Sequence, residues 1–290
     1  MYYQAKYINE VAAAGKKEFA IPYYINVWVS YPPPELSQRQ VPMPGIQYPS
    51  GGPVQKFVAI WKQLAPATDI IGPDIYSDNP GFYKELINTY HRPDNPLWIP
   101  ETGRGDSFAK LLCYALGNGA IGFSLFGVGE SGWNITGDSP WEAHANNFAL
   151  LAPMSREIAL WEFDGTLKAS IEEPGQAQQQ LDFANWQADI AFGFPRSDGR
   201  KAPGTHDAHG AALVVQLGPD EFLITGVDAI ITIHLSGKQR WIRSEIVSAE
   251  EGHYEYGAWK SLRILNGDDM DRGRCIYQKP RVVRVRLERF

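Results

Sequence analysis

The sequence has few cysteines, no long apolar run and no block of basic residues. Its two cysteines, Cys113 and Cys275, are far apart and form neither a disulfide framework nor a zinc motif, so the redox compartment stays open. No apolar run approaches the roughly 18 residues of a transmembrane helix, and the N-terminus lacks the apolar core of a signal peptide. We therefore expect a soluble chain without a membrane partner, of undecided localisation. The net charge of −6 predicts no nucleic-acid partner either.

Apolar and aromatic residues are abundant. Of 290 residues, 44% are hydrophobic, which is enough for a core in one large domain or two smaller ones. Aromatic residues make up 12% and include nine tryptophans. Such side chains commonly fill cores, but they also stack on the apolar faces of sugars.

Residues 1–163 alternate helical and strand patterns. We predict helices at 2–14, 54–65, 81–91, 106–119 and 144–161, and strands at 20–29, 69–76, 96–101 and 120–127. Continuous apolar strands that alternate with helices predict a parallel sheet buried on both faces. A Rossmann sheet is disfavoured because no G-x-G-x-x-G follows a strand. Four such units predict half of a (β/α)8 TIM barrel, since a whole barrel takes about 250 residues.

Residues 164–290 have a different pattern. Alternating and β-branched runs are separated there by Gly, Pro, Asp and Asn, which predicts an all-β, sandwich-like domain. The polar stretch 172–180 is interpreted as a surface loop. The predicted fold class is therefore α/β plus all-β: the C-terminal half of a TIM barrel at 1–163, followed by a β domain at 164–290.

Polar and aromatic side chains gather at the predicted strand ends. Glu101 follows the third strand, in "IPETG". The other strand ends and the loop after the last strand supply Asn26, Trp28, Asp74, Tyr76, Phe126, Glu130 and Trp133. Carboxylates and amides hydrogen-bond sugar hydroxyls, so this rim predicts sugar binding. The structural alternatives are that Glu101 caps the next turn and that the aromatics only pack. Arg104 either holds Glu101 ionised or solvates the turn.

No metal site is predicted. "HDAH" at 206–209 places two histidines three residues apart without a third ligand pattern. "NGDDMDRG" at 266–273 lacks the spaced glutamate of a calcium loop. Both segments are interpreted as exposed turns.

Four segments resemble a known enzyme family: "PYYINVWV", "YPSGGPVQKFVAIWKQLAPATDIIGPDIY", "PLWIPETGR" and "AIGFSLFG". They look like the second half of the catalytic barrel of glycoside hydrolase family 35, in the bacterial β-galactosidase-like branch with a DUF5597-type C-terminal β domain. The resemblance implies a retaining hydrolase that removes terminal β-galactosyl or related residues from oligosaccharides and needs no cofactor. It makes Glu101 the nucleophile.

The chain departs from this family at the acid/base. The family uses a Glu preceded by Asn at the end of the fourth barrel strand, which would lie before Met1. "INEV" at 8–11 falls in a helical pattern and does not replace it. We therefore expect a missing N-terminal half, or another chain such as a second copy in a homo-oligomer, to supply it. The alternatives are a non-catalytic carbohydrate-binding or structural protein, and a barrel enzyme such as an aldolase. The aldolase is disfavoured, because no Lys lies at a predicted strand end.

Overall fold

The structure consists of two compact units. It is a computed structural model that describes residues 1–32, 43–128, 142–176, 178–193, 209–239, 241–271, 273–277 and 280–290. The first unit comprises the described residues within Met1–Arg104 and Gly119–Thr136, and the second those within Gly105–Asn118 and Gly137–Phe290. Glu130, Trp133 and His206 lie outside the described residues.

The first unit carries the helix–strand alternation. Its helices are α1 (Tyr2–Glu18), α2 (Val58–Leu64) and α3 (Pro80–Tyr90), with a 3-10 turn at Gln55–Phe57. Its strands are β1 (Tyr24–Trp28), β2 (Ile70–Ile75), β3 (Leu97–Ile99), β4 (Glu101–Thr102) and β5 (Ala120–Phe123). The side chain of Asn79 accepts a hydrogen bond from the Phe82 N–H and caps α3, whose first residue is proline.

Helix α1 is longer than the predicted 2–14. The helix continues through Gly15, where a Cβ would lie 2.6 Å from the Tyr23 hydroxyl, so glycine serves a close approach rather than a helix end. Lys16 and Lys17 occupy the last turn, where cations stabilise the helix dipole. Lys16 also pairs with Asp69 at 2.7 Å, and Asp69 accepts a hydrogen bond from the Tyr23 N–H.

The strands of the first unit form two small parallel sheets. One has the order β1-β2-β4 and the other pairs β3 with β5. The predicted single strand at 96–101 is divided at Pro100, which lacks the N–H that a continuous ladder needs. Residues before Pro100 therefore pair with β5, and residues after it pair with β2.

The second unit is mostly antiparallel sheet. Its helices are α4 (Asp106–Leu116), α5 (Glu142–Leu151) and α6 (Ser155–Phe163), with 3-10 turns at Ala152–Met154 and Gly237–Gln239. Its strands are β6 (Leu167–Ile171), β7 (Gln178–Asp182), β8 (Trp186–Phe192), β9 (Ala211–Gly218), β10 (Glu221–Val227), β11 (Ala229–Leu235), β12 (Ser244–Glu255), β13 (Ala258–Ile264), β14 (Cys275–Tyr277) and β15 (Val282–Arg289). They form a six-stranded sheet, β13-β12-β15-β10-β9-β6, and a four-stranded sheet, β14-β11-β8-β7.

A shared hydrophobic cluster holds the two antiparallel sheets together. Burial alternates strictly along β8 and β11, so one face of the four-stranded sheet is apolar. Trp186, Phe192 and Phe222 are fully buried in this cluster. The polar stretch 172–180 is only partly a loop: a turn closed by the Glu173–Gln176 bridge leads directly into β7.

The predicted half of a (β/α)8 barrel followed by a β domain is wrong as the fold class. Strands make up 39% of the structure, most of them in antiparallel sheets, and the described residues contain no closed barrel. Helix α4 shows why the alternation misled. A barrel requires this helix to cover its parallel strands, but α4 packs within the second unit on β6 and β9. Gly117, just after α4, leaves no room for a Cβ against Ala169 of β6.

A strand-end cluster as the candidate site

Five of the predicted site residues lie together at the carboxyl ends of the parallel strands in the first unit. Asn26 lies on β1, Asp74 on β2, Tyr76 directly after β2, Glu101 on β4 and Phe126 after β5. We call these five residues the strand-end cluster. Asn26, Asp74, Tyr76 and Glu101 lie on or directly after strands of the β1-β2-β4 sheet, whose parallel strands run in one direction. Phe126 follows β5 of the other sheet and joins the cluster through its ring contact with Tyr76.

The strand register places two carboxylates side by side. Trp28 pairs with Asp74 and Asp74 pairs with Glu101, so these three residues form one row across β1, β2 and β4. Neighbouring strands lie about 4.8 Å apart. Behind this row, Gly72 pairs with Asn26, and a Cβ on Gly72 would lie 2.7 Å from Pro100 Cδ. The glycine therefore makes room for the break in the strand that sets Glu101 opposite Asp74.

Each oxygen of the Glu101 carboxylate accepts a hydrogen bond. Asn26 Nδ2 donates to Oε1 at 3.0 Å, and the Tyr76 hydroxyl donates to Oε2 at 2.8 Å. Asn26 Nδ2 also donates to Asp74 Oδ2 at 3.0 Å. One amide nitrogen thus connects the two carboxyl groups, whose bonded oxygens lie within about 6 Å of each other.

The two carboxyl groups differ in burial. Glu101 is half-buried, whereas Asp74 is 6% exposed. Burial and, next, the negative charge of Glu101 raise the pKa of Asp74 to about 7, while the hydrogen bond from Asn26 opposes the shift. Burial, followed by the hydrogen bond and charge of Glu101, raises the pKa of the Tyr76 phenol, so this hydroxyl stays a donor at neutral pH.

Aromatic side chains flank the cluster. Trp28 is 48% exposed and Phe126 is 45% exposed. The rings of Tyr76 and Phe126 meet edge to face with their centroids 6.3 Å apart. The Phe126 N–H donates to the Thr102 carbonyl at 3.2 Å, which fixes this residue beside β4.

The structure thus brings together Asn26, Asp74, Tyr76, Glu101 and Phe126, with Trp28 in the same row. Their roles stay predictions. The predicted contacts of Glu130 and Trp133 lie outside the described residues, and the role of Arg104 also stays a prediction. Gly72 was not among the predicted site residues, although a signal was present: a Gly-Pro pair inside a strand is unusual and often marks a close backbone approach.

Tyr31 supports the cluster from behind. Its hydroxyl accepts a hydrogen bond from the Tyr76 N–H at 2.9 Å and donates to the Asp74 carbonyl at 3.5 Å. The ring is buried and packs on Phe82 of α3. The end of β2 therefore has a fixed backbone, which sets the directions of the Asp74 and Tyr76 side chains.

The described part of the chain contains neither a metal-binding cluster nor a membrane-spanning helix. No group of three or more His, Cys, Asp or Glu side chains there is arranged to hold a metal ion. No helix within the described ranges is both long enough and apolar enough to cross a bilayer.

The fold and the cluster define a two-unit protein with a strand-end carboxylate site in one unit and antiparallel sheets in the other. Residues 144–277 match a protein family described as a domain of unknown function (DUF5597). No curated protein matches the chain. The matched segment lies within the second unit and contains no residue of the strand-end cluster, so the match leaves the chemistry of the cluster open.

Proposed function

We propose that the strand-end cluster is the nucleophile side of a retaining glycoside hydrolase site of the β-galactosidase type. Glu101 attacks the anomeric carbon of a terminal β-galactosyl or related residue of an oligosaccharide. Asn26 and Tyr76 hold the attacking carboxylate and reach sugar hydroxyls. Trp28 and Phe126 offer rings for the apolar face of the sugar. The galactosyl specificity rests on the resemblance of "PLWIPETGR" and its companion segments to glycoside hydrolase family 35.

The observation that carries the proposal is the double fixation of Glu101. Two donors from neighbouring strand ends hold its two oxygens at 3.0 and 2.8 Å. A nucleophile held in one orientation loses little entropy on reaching the transition state.

The reaction balances in two steps. In the first, a Glu101 oxygen forms a bond to the anomeric carbon, and the bond to the leaving oxygen breaks with its electron pair. That oxygen takes a proton from a general acid. In the second step, a water attacks the same carbon, gives its proton to the acid/base and releases Glu101. The proposal leaves the acid/base unassigned, so it concerns the first step with leaving groups that need no proton.

The first step can be tested with a substrate whose leaving group needs no proton. A 2-deoxy-2-fluoro-β-galactoside with a dinitrophenolate leaving group forms the glycosyl-enzyme bond without acid assistance and releases the sugar slowly. We expect the intact mass of the full chain to increase by one fluorosugar, and peptide mapping to place the adduct on Glu101. Glu101→Gln removes the anionic nucleophile, so the intact mass of this variant should not change on incubation with the fluorosugar.

Asp78→Asn is the matched control because Asp78 is an exposed carboxylate two residues beyond Tyr76. This variant should form the adduct like the unmodified chain. An adduct on another residue, or an equal mass increase in Glu101→Gln, contradicts the nucleophile assignment.

A second candidate function is sugar binding without hydrolysis. The exposed rings of Trp28 and Phe126 beside amide and phenol groups favour it, since stacking and hydrogen bonding suffice to hold a sugar. Calorimetric titration with a β-galactoside separates the two functions. Binding that persists in Glu101→Gln, together with no covalent adduct on the unmodified chain, favours the binding protein.

A further inference from the structure

We propose that Asp74 is a positioning residue that orients Glu101 through Asn26 and does not itself touch the sugar. The inference rests on the proposed function, because it describes how that site holds its nucleophile. It also assigns Asp74 a protonated working state and an ionised state in which Glu101 is held less firmly.

The geometry begins with the Asn26 amide. Its Nδ2 atom has two hydrogens, and both are directed at carboxyl oxygens, one on Asp74 and one on Glu101, each at 3.0 Å. The Glu101 carboxylate only accepts hydrogen bonds, so it requires the nitrogen of the amide, not its oxygen, on this side. The second N–H then meets the Asp74 carboxyl oxygen, and the two bonds together fix the rotation of the amide.

The burial of Asp74 excludes direct contact with a sugar. The residue is 6% exposed, and its Oδ1 atom is buried without a hydrogen-bond partner among the described residues. Asn26, by contrast, is exposed and Tyr76 is 39% exposed. A sugar at Glu101 can thus reach the amide and the phenol, but not the Asp74 carboxyl behind them.

The surroundings of Asp74 favour its neutral form. Within the described part of the chain, the titratable groups that face it are the Glu101 carboxylate and the phenols of Tyr31, Tyr76 and Tyr90. Burial first, and the Glu101 charge second, raise the pKa of Asp74 to about 7. A neutral Asp74 accepts one hydrogen bond from Asn26 and leaves Glu101 as the single charge of the pair.

Ionisation of Asp74 changes the shared hydrogen bonds. Above pH 7, two adjacent carboxylates repel each other across the Asn26 amide, although each still accepts one of its two N–H groups. The amide is drawn toward the newly charged Asp74 oxygen, because bonds to ionised acceptors are stronger. The bond to Glu101 Oε1 lengthens, and Glu101 is held less firmly. We therefore expect the formation of the glycosyl-enzyme bond to slow as the pH rises through about 7.

The test compares Asp74→Asn with Asp74→Ala in the full chain, with Asp78→Asn as control. Asparagine reproduces the neutral carboxyl and can still accept from Asn26, so at pH 6 it should restore most of the labelling rate that Asp74→Ala loses. It should also keep that rate at pH 8.5, where the unmodified chain slows. Alanine removes the acceptor and should slow the reaction about tenfold or more at both pH values.

A direct proton donor would behave differently. Removing a general acid slows poor leaving groups far more than dinitrophenolate, whereas loss of positioning slows all leaving groups to a similar extent. A slowing by Asp74→Asn that grows with the pKa of the leaving group overturns the positioning role. So does an Asp74→Asn variant that slows above pH 7 like the unmodified chain.

Two readouts need no sugar and separate this inference from the proposed function. Carbon-13 NMR of aspartate carboxyl groups should show one that titrates near pH 7 and is absent from Asp74→Asn. The same ionisation should shift the Asn26 side-chain amide resonance. The inference is overturned if the Asp74 carboxyl titrates near pH 4, or if the Asn26 side-chain amide resonance does not change with its ionisation. Either result holds even if Glu101 is labelled.

The pH dependence of the melting temperature also tests the neutral state of Asp74. A carboxyl whose pKa is raised in the folded state binds its proton more tightly there, so its contribution to stability is present below about pH 4 and lost as the pH rises through about 7. Between pH 5 and pH 8 the melting temperature of the unmodified chain should therefore fall more than that of Asp74→Asn. An equal fall in both proteins contradicts the buried, neutral state of Asp74.

Discussion

At the scale of the residue, removal of the Tyr76 hydroxyl is the most direct test of how Glu101 is held. It donates to Glu101 Oε2 at 2.8 Å, and no other group of the described residues is seen bonded to that oxygen. Tyr76→Phe removes this donor and keeps the ring that packs on Phe126. A hydrogen bond to a charged group contributes about 1.5–3 kcal/mol, so we expect the fluorosugar adduct to form roughly 10 to 100 times more slowly. Time-resolved intact-mass measurements give this rate.

Tyr24→Phe is the control for the loss of a phenol elsewhere in the first unit, because Tyr24 lies on β1. Tyr24 is 52% exposed and stacks on Trp98 with centroids 5.6 Å apart, an arrangement that phenylalanine preserves. Its rate of labelling should be unchanged. Equal slowing in the two variants would mean that Tyr76 has no special role at Glu101.

At the scale of the element, the division of one strand at Pro100 determines where Glu101 lies. Gly72 of β2 faces this break, and a Cβ there would lie 2.7 Å from Pro100 Cδ and 2.9 Å from the Trp98 carbonyl. We expect Gly72→Ala to move β4 away from β2 and to cost about 1–3 kcal/mol of unfolding free energy. Urea denaturation followed by circular dichroism measures this cost, and the labelling rate of Glu101 should fall with it.

Gly267→Ala is the control, because Gly267 is exposed, has no positive φ, and a Cβ there would meet nothing within 4 Å. Alanine restricts the unfolded chain, so this variant should be as stable as the unmodified chain or slightly more stable. A Gly72→Ala variant with unchanged stability and labelling would show that the break at Pro100 does not depend on close packing.

The sequence was informative where the structure depends on local patterns. The apolar runs that contain β1, β2 and β5 predicted those strands. The ends of the predicted strands indicated which polar side chains meet. Both signals can be identified within a short stretch of sequence. The packing of α4 on β6 and β9 and the division of the strand at Pro100 depend on contacts with residues far along the chain. Gly117 against Ala169 and Gly72 against Pro100 are such contacts, and no local pattern contains them. The barrel prediction failed for this reason.

At the scale of the whole molecule, the last strand is central rather than peripheral. Strand β15 lies between β12 and β10 in the six-stranded sheet, so the end of the chain completes a sheet whose first strand, β6, begins at residue 167. Val282, Val283, Val285 and Leu287 are all at most 2% exposed. The family match ends at residue 277, before this strand.

We therefore expect a fragment that ends at residue 277 to fail to fold its second unit, despite containing the whole matched segment. Loss of β15 exposes the edges of β10 and β12 and opens the shared apolar cluster, which promotes aggregation. Val285→Asp tests the same strand without truncation, because a carboxylate buried there has no partner and should cost about 4 kcal/mol or more. Arg286→Asp changes the adjacent, exposed residue and should cost much less. Soluble yield and urea midpoints distinguish the variants. A stable, soluble fragment ending at 277 would show that β15 is dispensable and that the matched segment folds by itself.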